Sequence, residues 1–213
     1  MLHTETVTDE TFGLLVDLMD DYHLKEFSLA GGTALSLYLG HRKSIDIDLF
    51  SQNSFNVPEL SHHLKEKYSF REDFRGNNTL KGFIKDVKVD CISHRFENVR
   101  SIKTVDKIRL YSIEDIAAMK LGAIADNGTR LKDFVDIACL STKISLSEML
   151  ESYQKKYRDT NAIRALRALT YYVDIIHEPI DLINGKYTWD SVSERIDEMI
   201  KNDTITFQSM PFE

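Results

Sequence analysis

No stretch of the sequence approaches the roughly 18 consecutive apolar residues of a membrane-spanning helix, so a membrane-embedded role is not expected. Cysteine is nearly absent. Cys91 and Cys139 are the only two, each lies in an apolar run, and both read as small buried hydrophobes more readily than as a disulfide or a metal site. Excess positive charge is missing as well: 27 Lys and Arg against 34 Asp and Glu give a net charge of −7. That balance argues against coating nucleic acid by bulk electrostatics, although a local basic patch can still dock one RNA. The first residues, Met1 to Glu5, lack the basic stretch and apolar run of a secretory signal, and a reducing cytoplasm is the expected setting. What remains is an ordinary globular composition, 42% hydrophobic and 29% charged over 213 residues, enough for one good core or two small lobes sharing an interface.

Periodicity divides the chain near Tyr111. Thr8 to Tyr22 reads as a helix, Glu26 to Ala30 as a short buried strand, and Gly31 and Gly32 as the turn into a second helix, Thr33 to Leu39. Ser44 to Phe50 alternates strictly, with Ile45, Ile47 and Leu49 on one face and Ser44, Asp46 and Asp48 on the other. Val57 to Tyr68 is predicted helical with Pro58 in its first turn, and Ser69 to Arg75, Thr79 to Ile84, Val87 to Ile92 and Ile108 to Tyr111 are predicted strands. Helical patterns dominate afterwards: Ser112 with Asp115 caps one through Ala125, a second covers Thr129 to Leu140, and Ser145 with Glu148 caps a third to about Tyr157. Two more cover Asn161 to Ile176 and Asp190 to Lys201. The expected class is α+β, a mixed-sheet domain over residues 1–111 followed by a helical domain over 112–213.

Alternation puts Asp46 and Asp48 on one face of a strand, where two carboxylates repel unless a divalent cation lies between them. An acidic solvent-facing strand is the alternative for an isolated Asp-x-Asp. Upstream, Gly31, Gly32 and Thr33 stand where backbone N–H groups at a helix N-terminus can approach phosphate closely. The spacing fits neither a Walker A loop nor Gly-x-Gly-x-x-Gly. Asp90 falls on the polar face of its strand with Lys88 and is a candidate third metal ligand, or simply a solvent-facing residue. Lys120 sits in an apolar helix turn, where it needs an anionic partner or a route to solvent. Asp133 and Asp136 share a face of the next helix, with Arg130 one turn earlier. Arg42 and Lys43 either meet phosphates or are solvated, and His62, His63 and His94 lack the spacing of a zinc site. Lys155, Lys156, Arg158, Arg164 and Arg167 form either a solvated helical surface or a grip on RNA phosphates.

Three blocks together resemble the AbiEii/AbiGii abortive-infection toxin nucleotidyltransferases: Leu29 to Leu35 with His41 to Phe50, Ser112 to Lys120, and Arg130 to Asp136. The resemblance implies a polymerase-β-like fold, Asp46 and Asp48 as metal ligands, Lys120 as a phosphate or nucleotide contact and Asp133 as a further catalytic carboxylate. Gly31, Gly32, Thr33, Arg42 and Ser44 become the nucleotide-binding candidates beside Lys120, and Asp90 joins Asp46 and Asp48 as a metal candidate. One departure is Lys132, where many relatives carry arginine; the charge is kept but a bidentate contact is not. The implied activity is Mg²⁺- or Mn²⁺-dependent transfer of a nucleoside monophosphate from an NTP to an acceptor, with a tRNA-like RNA favoured and a cognate antitoxin as a partner. A small molecule of antibiotic type or a protein side chain is the alternative acceptor, and a non-catalytic nucleotide-binding module the rival of another class.

Overall fold

The computed structural model describes residues 1–212. Its first helix, α1 (Asp9–Asp20), starts where Thr8 accepts the Thr11 amide on its side chain, and it packs Leu15, Leu18 and Met19 inward. Strand β1 (Ser28–Leu29) leads into α2 (Gly31–Leu39), then come β2 (Ile47–Ser51) and α3 (Val57–Tyr68), which is capped by Asn56. Strands β3 (Arg71–Gly76), β4 (Thr79–Ile84) and β5 (Val87–Ser93) form a meander, followed by a β6 (Lys103–Val105) and β7 (Ile108–Leu110) hairpin. The seven strands make one mixed sheet in the order β3-β4-β5-β2-β1-β7-β6. Beyond it lie α4 (Ile113–Asp126), α5 (Leu131–Leu140), α6 (Leu146–Lys156), α7 (Ala162–Leu169) and α8 (Trp189–Lys201). Among the described residues no helix is long and apolar enough to cross a membrane.

The parallel pairing of β2 with β5 brings the strand carboxylates side by side. Ile47 lies opposite Val89, Asp48 opposite Asp90, and Leu49 opposite Cys91. Since side chains alternate across a strand, the buried Ile47, Leu49, Val87, Val89 and Cys91 share the core face, and Asp48, Lys88 and Asp90 share the other. In β4 the same alternation buries Leu80 and Ile84 and sets Lys81 opposite Asp90.

The helical half is tied down by caps and buried ion pairs. Ser112 accepts the Asp115 amide at the head of α4, and Ser145 with Glu148 forms a reciprocal capping box on α6, a device contributing about 1 kcal/mol. Asp115 is fully buried, yet both its oxygens are satisfied, by the amides of Val99 and Arg100, the Ser112 hydroxyl and the Lys156 ammonium at 2.7 Å. This pair fixes α6 against α4 and the loop after β5.

Several expectations need correcting. The strand bearing the aspartates begins at Ile47, not Ser44, and Ile45 is 61% exposed. The backbone before it is engaged elsewhere: Lys43 donates to the Asp181 carbonyl, Ser44 to the Thr6 carbonyl, and the Asp46 carbonyl accepts from Thr33 Oγ1. Strand β1 is two residues long, and β6 is an addition to the strands expected from alternation. Helix α7 stops at Leu169 instead of Ile176, because the run Thr170–Val173 is β-branched and aromatic, and Ile176 donates its amide to Thr129 beside α5. Residues 204–212 are irregular but anchored, since Phe207 donates to the Ser141 carbonyl and Arg195 holds the carbonyls of Ser209 and Met210.

Candidate active site

The polar face of the sheet and the helical half enclose a cavity of about 410 Å³. Asp46, Asp48, Lys81, Lys88 and Asp90 line it from the sheet side, Gly31 and Gly32 from the start of α2, and Ile116, Met119, Lys120 and Ala123 from α4. The last four fall at i, i+3, i+4 and i+7, one stripe of a helix. Arg130 and Asp133, with Phe50, Ile92, His94 and Tyr157, complete the wall.

Gly31 has φ +68°, the left-handed region that favours glycine, and a Cβ there would lie 2.2 Å from Asp48 Oδ2. At Gly32 a Cβ would lie 2.4 Å from Arg42 Nη2. The two glycines therefore admit protein side chains, the Asp48 carboxylate and the Arg42 guanidinium, into the space at the N-terminus of α2. Thr33 is buried and its hydroxyl bonds to Ser44 Oγ at 2.8 Å and to the Asp46 carbonyl, clamping the approach to β2.

On the sheet face the acids are incompletely compensated. Asp90 is only 4% exposed; its Oδ2 lies 3.2 Å from Lys81 Nζ and 3.5 Å from Lys88 Nζ, while its buried Oδ1 has no hydrogen-bond partner. Burial, then the neighbouring Asp90 and Asp46 carboxylates, push the Asp48 carboxyl above the usual range. Lys81 and Lys88 join the site although neither is a binding candidate by sequence. A signal for them exists, since both occupy the polar face of alternating strands that flank Asp90.

The helical wall is built differently. Lys120 is 7% exposed, with Nζ 2.6 Å from Asp133 Oδ1 and 2.7 Å from Asp136 Oδ2. Burial opposes its charge, but the Asp136 and Asp133 carboxylates outweigh that and hold the ammonium protonated. Asp136 also accepts a bidentate pair from Arg42, 2.8 and 2.9 Å from Nε and Nη2, and bonds His41 Nε2 at 2.8 Å. Despite the burial that opposes it, Arg42, Lys120 and His41 keep Asp136 well below the carboxylate range. For His41 burial wins and lowers its pKa, which favours the neutral ring. Asp133 Oδ2 is buried without a hydrogen bond, 3.8 Å from Arg130 Nε.

Of the residues proposed from sequence, the cavity thus gathers Gly31, Gly32, Asp46, Asp48, Asp90, Lys120 and Asp133. Thr33, Arg42 and Ser44 stand behind it. Arg42, expected to meet phosphate or solvent, is instead buried against Asp136, and Lys43 points its ammonium at the Glu5 carbonyl. Lys132 pairs with Glu178 and does not line the cavity. The basic run is mostly occupied locally: Lys156 with Asp115, Lys155 with the Val99 carbonyl, Arg158 with Glu97 and Arg164 with Asp126.

Among the described residues, the group whose ligand atoms already lie within 4.8 Å of one another, as a metal ion needs, is Asp21, His23 and His63. His63, by sequence an ordinary surface or core residue, is stacked on His23 at 3.8 Å beside the buried Asp21. Asp21 already accepts from the His23 amide, His63, Lys67 and Tyr68, so the Lys67 ammonium supplies the cation there. This cluster does not line the 410 Å³ cavity.

A mixed sheet followed by a largely helical half is the architecture of a polymerase-β-like nucleotidyltransferase fold. Residues 13–210 match the family described as nucleotidyl transferase AbiEii toxin of type IV toxin–antitoxin systems, and the chain belongs to that family. It is 29% identical over 182 residues to an uncharacterized protein, aq_aa25, of Aquifex aeolicus (strain VF5), covering 83% of this chain and 87% of that one. A crystal structure of a proposed nucleotidyltransferase from H. pylori superposes over 92% of this chain and 95% of its own, with a TM-score of 0.59 at 17% identity, and so shares the fold.

Proposed function

We propose that the chain transfers a nucleoside monophosphate from an NTP to an RNA acceptor with the help of Mg²⁺ or Mn²⁺, as the toxin half of a toxin–antitoxin pair acting in the cytoplasm. The observation that carries this reading is the alignment of Asp48 with Asp90 on adjacent parallel strands, Asp90 keeping one buried oxygen unpartnered, opposite a buried and protonated Lys120. An all-oxygen carboxylate set fits a hard divalent cation, and Asp48, its carboxyl pushed up by burial and then by Asp90 and Asp46, is a group whose charge such a cation would stabilise. Asp46, Asp48 and Asp90 are the residues that would hold the ions. When bound, such ions polarise the α-phosphate and neutralise the triphosphate.

The chain's own groups have distinct tasks. The ammonium groups of Lys81 and Lys88 attract the phosphates, while Lys120 offsets the negative charge that grows on the transferring phosphoryl group. The acceptor hydroxyl oxygen bonds to the α-phosphorus as the bond to pyrophosphate breaks, and the hydroxyl proton passes to a carboxylate of the sheet face. Asp133 and Asp136 hold Lys120 in place and charged.

Incubation with each α-labelled NTP, Mg²⁺ and total RNA, protein or small-molecule extract tests the reading. Label in RNA, lost in Asp48→Asn, is the expected result; label in the protein or small-molecule fraction reassigns the acceptor, and no label in any fraction overturns the activity.

A further inference from the structure

A second cavity of about 510 Å³ adjoins the first along α4 and shares His94, Ala123 and Tyr157 with it. Its size is within the roughly 300–1,000 Å³ of small-molecule sites. Aromatic rings dominate its inner wall. Phe96 and Tyr157 meet edge to face with centroids 4.7 Å apart, and His94 packs on Phe96 at 4.9 Å. Phe96 is 44% exposed, an apolar ring held at the mouth by these two neighbours instead of being buried. His94 is pushed down to about 4 by burial and by Lys156, so its ring is neutral at physiological pH.

Two further features mark the platform as built rather than incidental. Gly122 sits inside α4, where glycine costs about 1 kcal/mol relative to alanine. A Cβ there would meet Tyr157 Cε2 at 3.2 Å, so the glycine lets the ring lie against the helix. Most charges of the pocket are matched by pairing, Arg158 with Glu97, Arg164 with Asp126 and Lys156 with Asp115, and the two others in the lining, Arg95 and Asp159, are of opposite sign. Matched charges leave little net attraction for another phosphate. The aromatic wall is then the feature that selects the occupant, and the exposed acids at the rim are acceptors for amino groups on a flat polar ring.

We infer that this cavity is a nucleobase subsite, in which a base stacks on Phe96 and Tyr157 while the phosphates attached to it reach the carboxylate cleft through the shared edge at His94 and Ala123. The assignment rests on the proposed nucleotidyltransferase activity and names where that enzyme holds its base. The base belongs either to the NTP or to the terminal nucleotide of the acceptor, and both present the same π-face.

Calorimetric titration in Mg²⁺ separates these sources, using inorganic tripolyphosphate, each of the four NTPs and a short single-stranded RNA, with wild type, Phe96→Ala and Tyr157→Phe. Phe96 is half out of the fold, so its truncation opens no core cavity, and Tyr157→Phe retains the ring. Phe96→Ala is expected to weaken the base-bearing ligand about 5- to 150-fold, the range of base–aromatic stacking, and to leave tripolyphosphate affinity unchanged. Tyr157→Phe should keep most of the binding. A loss confined to NTPs assigns the base to the donor, and a loss confined to RNA assigns it to the acceptor. If Phe96→Ala binds NTPs and RNA as wild type does while Asp48→Asn loses NTP, the subsite is overturned and the enzyme reading stands. If wild type binds neither tripolyphosphate nor NTP, both are overturned.

Discussion

The two walls of the cleft solve the problem of buried charge in opposite ways. On the helical side each buried charge has an opposite charge within 3 Å: Lys120 lies between Asp133 and Asp136, and Asp136 is shared with Arg42 and His41, although Asp133 Oδ2, like Asp90 Oδ1, has no hydrogen bond. On the sheet side Asp48 has its proton affinity raised by burial and by Asp90 and Asp46, and Asp90 keeps an unpartnered oxygen. A wall that is compensated beforehand stays rigid, whereas a wall that is not has binding energy to gain from a cation. The contrast extends to pH. Asp136, with a depressed pKa, contributes stability that is present above the unfolded carboxylate range and lost as pH falls toward its folded value. Asp48, with a raised pKa, does the reverse: its contribution is full below the unfolded value and is lost as pH rises through its folded value.

The most damaging way to break this arrangement is Lys120→Ala, which leaves two buried carboxylates facing each other. Sequence alone leaves Lys120 with either an anionic partner or a route to solvent; at 7% exposure, with two carboxylates under 3 Å, it has the partners. Removing one member of a buried ion pair costs about 3–5 kcal/mol, so denaturant unfolding should show a large drop in midpoint. Turnover of the folded fraction should fall on the order of 10² or more, because the charge opposite the phosphoryl group is gone. An unfolding midpoint equal to that of wild type sinks the claim that this wall is compensated by Lys120.

Asp48→Asn probes the other wall and should separate activity from stability. Transfer is expected to fall on the order of 10² or more. Without metal, the variant should melt higher than wild type at neutral pH, since a source of repulsion has been removed, and the difference should shrink as the buffer is acidified. Mg²⁺ should raise the wild-type melting temperature and leave the variant nearly unaffected, by mass action on a site only one of them has. Scanning fluorimetry over pH and Mg²⁺ reads all three, and a variant less stable than wild type at neutral pH contradicts an uncompensated wall.

A smaller effect is expected at Gly32, where an added Cβ strikes the Arg42 guanidinium at 2.4 Å. Because Arg42 is locked to Asp136 by two hydrogen bonds, Gly32→Ala should cost about 1–3 kcal/mol as an overpacked site. The sequence pattern by itself reserves that space for phosphate. A melting temperature unchanged in Gly32→Ala, with weakened NTP binding, restores the phosphate reading.

Local signals carry most of the architecture. Capping residues Thr8, Ser112 and Ser145 mark true helix starts, and strict alternation locates β4 and β5 to within a residue. The same alternation misleads at Ile45, because a strand needs neighbours as well as a pattern, and residues 43–46 spend their backbone groups on Thr6, Thr33 and Asp181. In the candidate site, the acids and Lys120 are legible from residue type and local period. The inward turn of Arg42 is not, since its partner Asp136 lies 94 residues away and nothing local announces the pair. Nor is the gathering of His94, Phe96 and Tyr157, which depends on how α6 ends against the loop after β5.

The mildest prediction tests whether compensation alone, without a ligand, explains a charged cluster elsewhere in the molecule. Asp21 is buried at the C-terminal end of α1, and its oxygens accept from the His23 amide, His63 Nε2, Lys67 Nζ and Tyr68 OH, the last three at 2.8–2.9 Å and all from α3. Burial favours protonation of Asp21, but Lys67, His63 and Tyr68 outweigh it and draw the carboxyl far below its usual range. The stability it contributes is therefore present above the unfolded aspartate value and lost as pH falls below it. Its role is to staple α1 to α3, away from the cleft. His63→Ala removes one of four donors to a charged acceptor and leaves the others in place, so the cost should be about 1–2 kcal/mol. Transfer at saturating NTP should stay within about twofold of wild type, well below one decade of rate. Zn²⁺ titration is the decisive comparison: because Lys67 already neutralises Asp21, zinc at equimolar concentration should leave the melting temperature of wild type and His63→Ala equally unmoved. A zinc-dependent rise in wild type that is absent from His63→Ala would show instead that Asp21, His23 and His63 take up a metal and release the lysine.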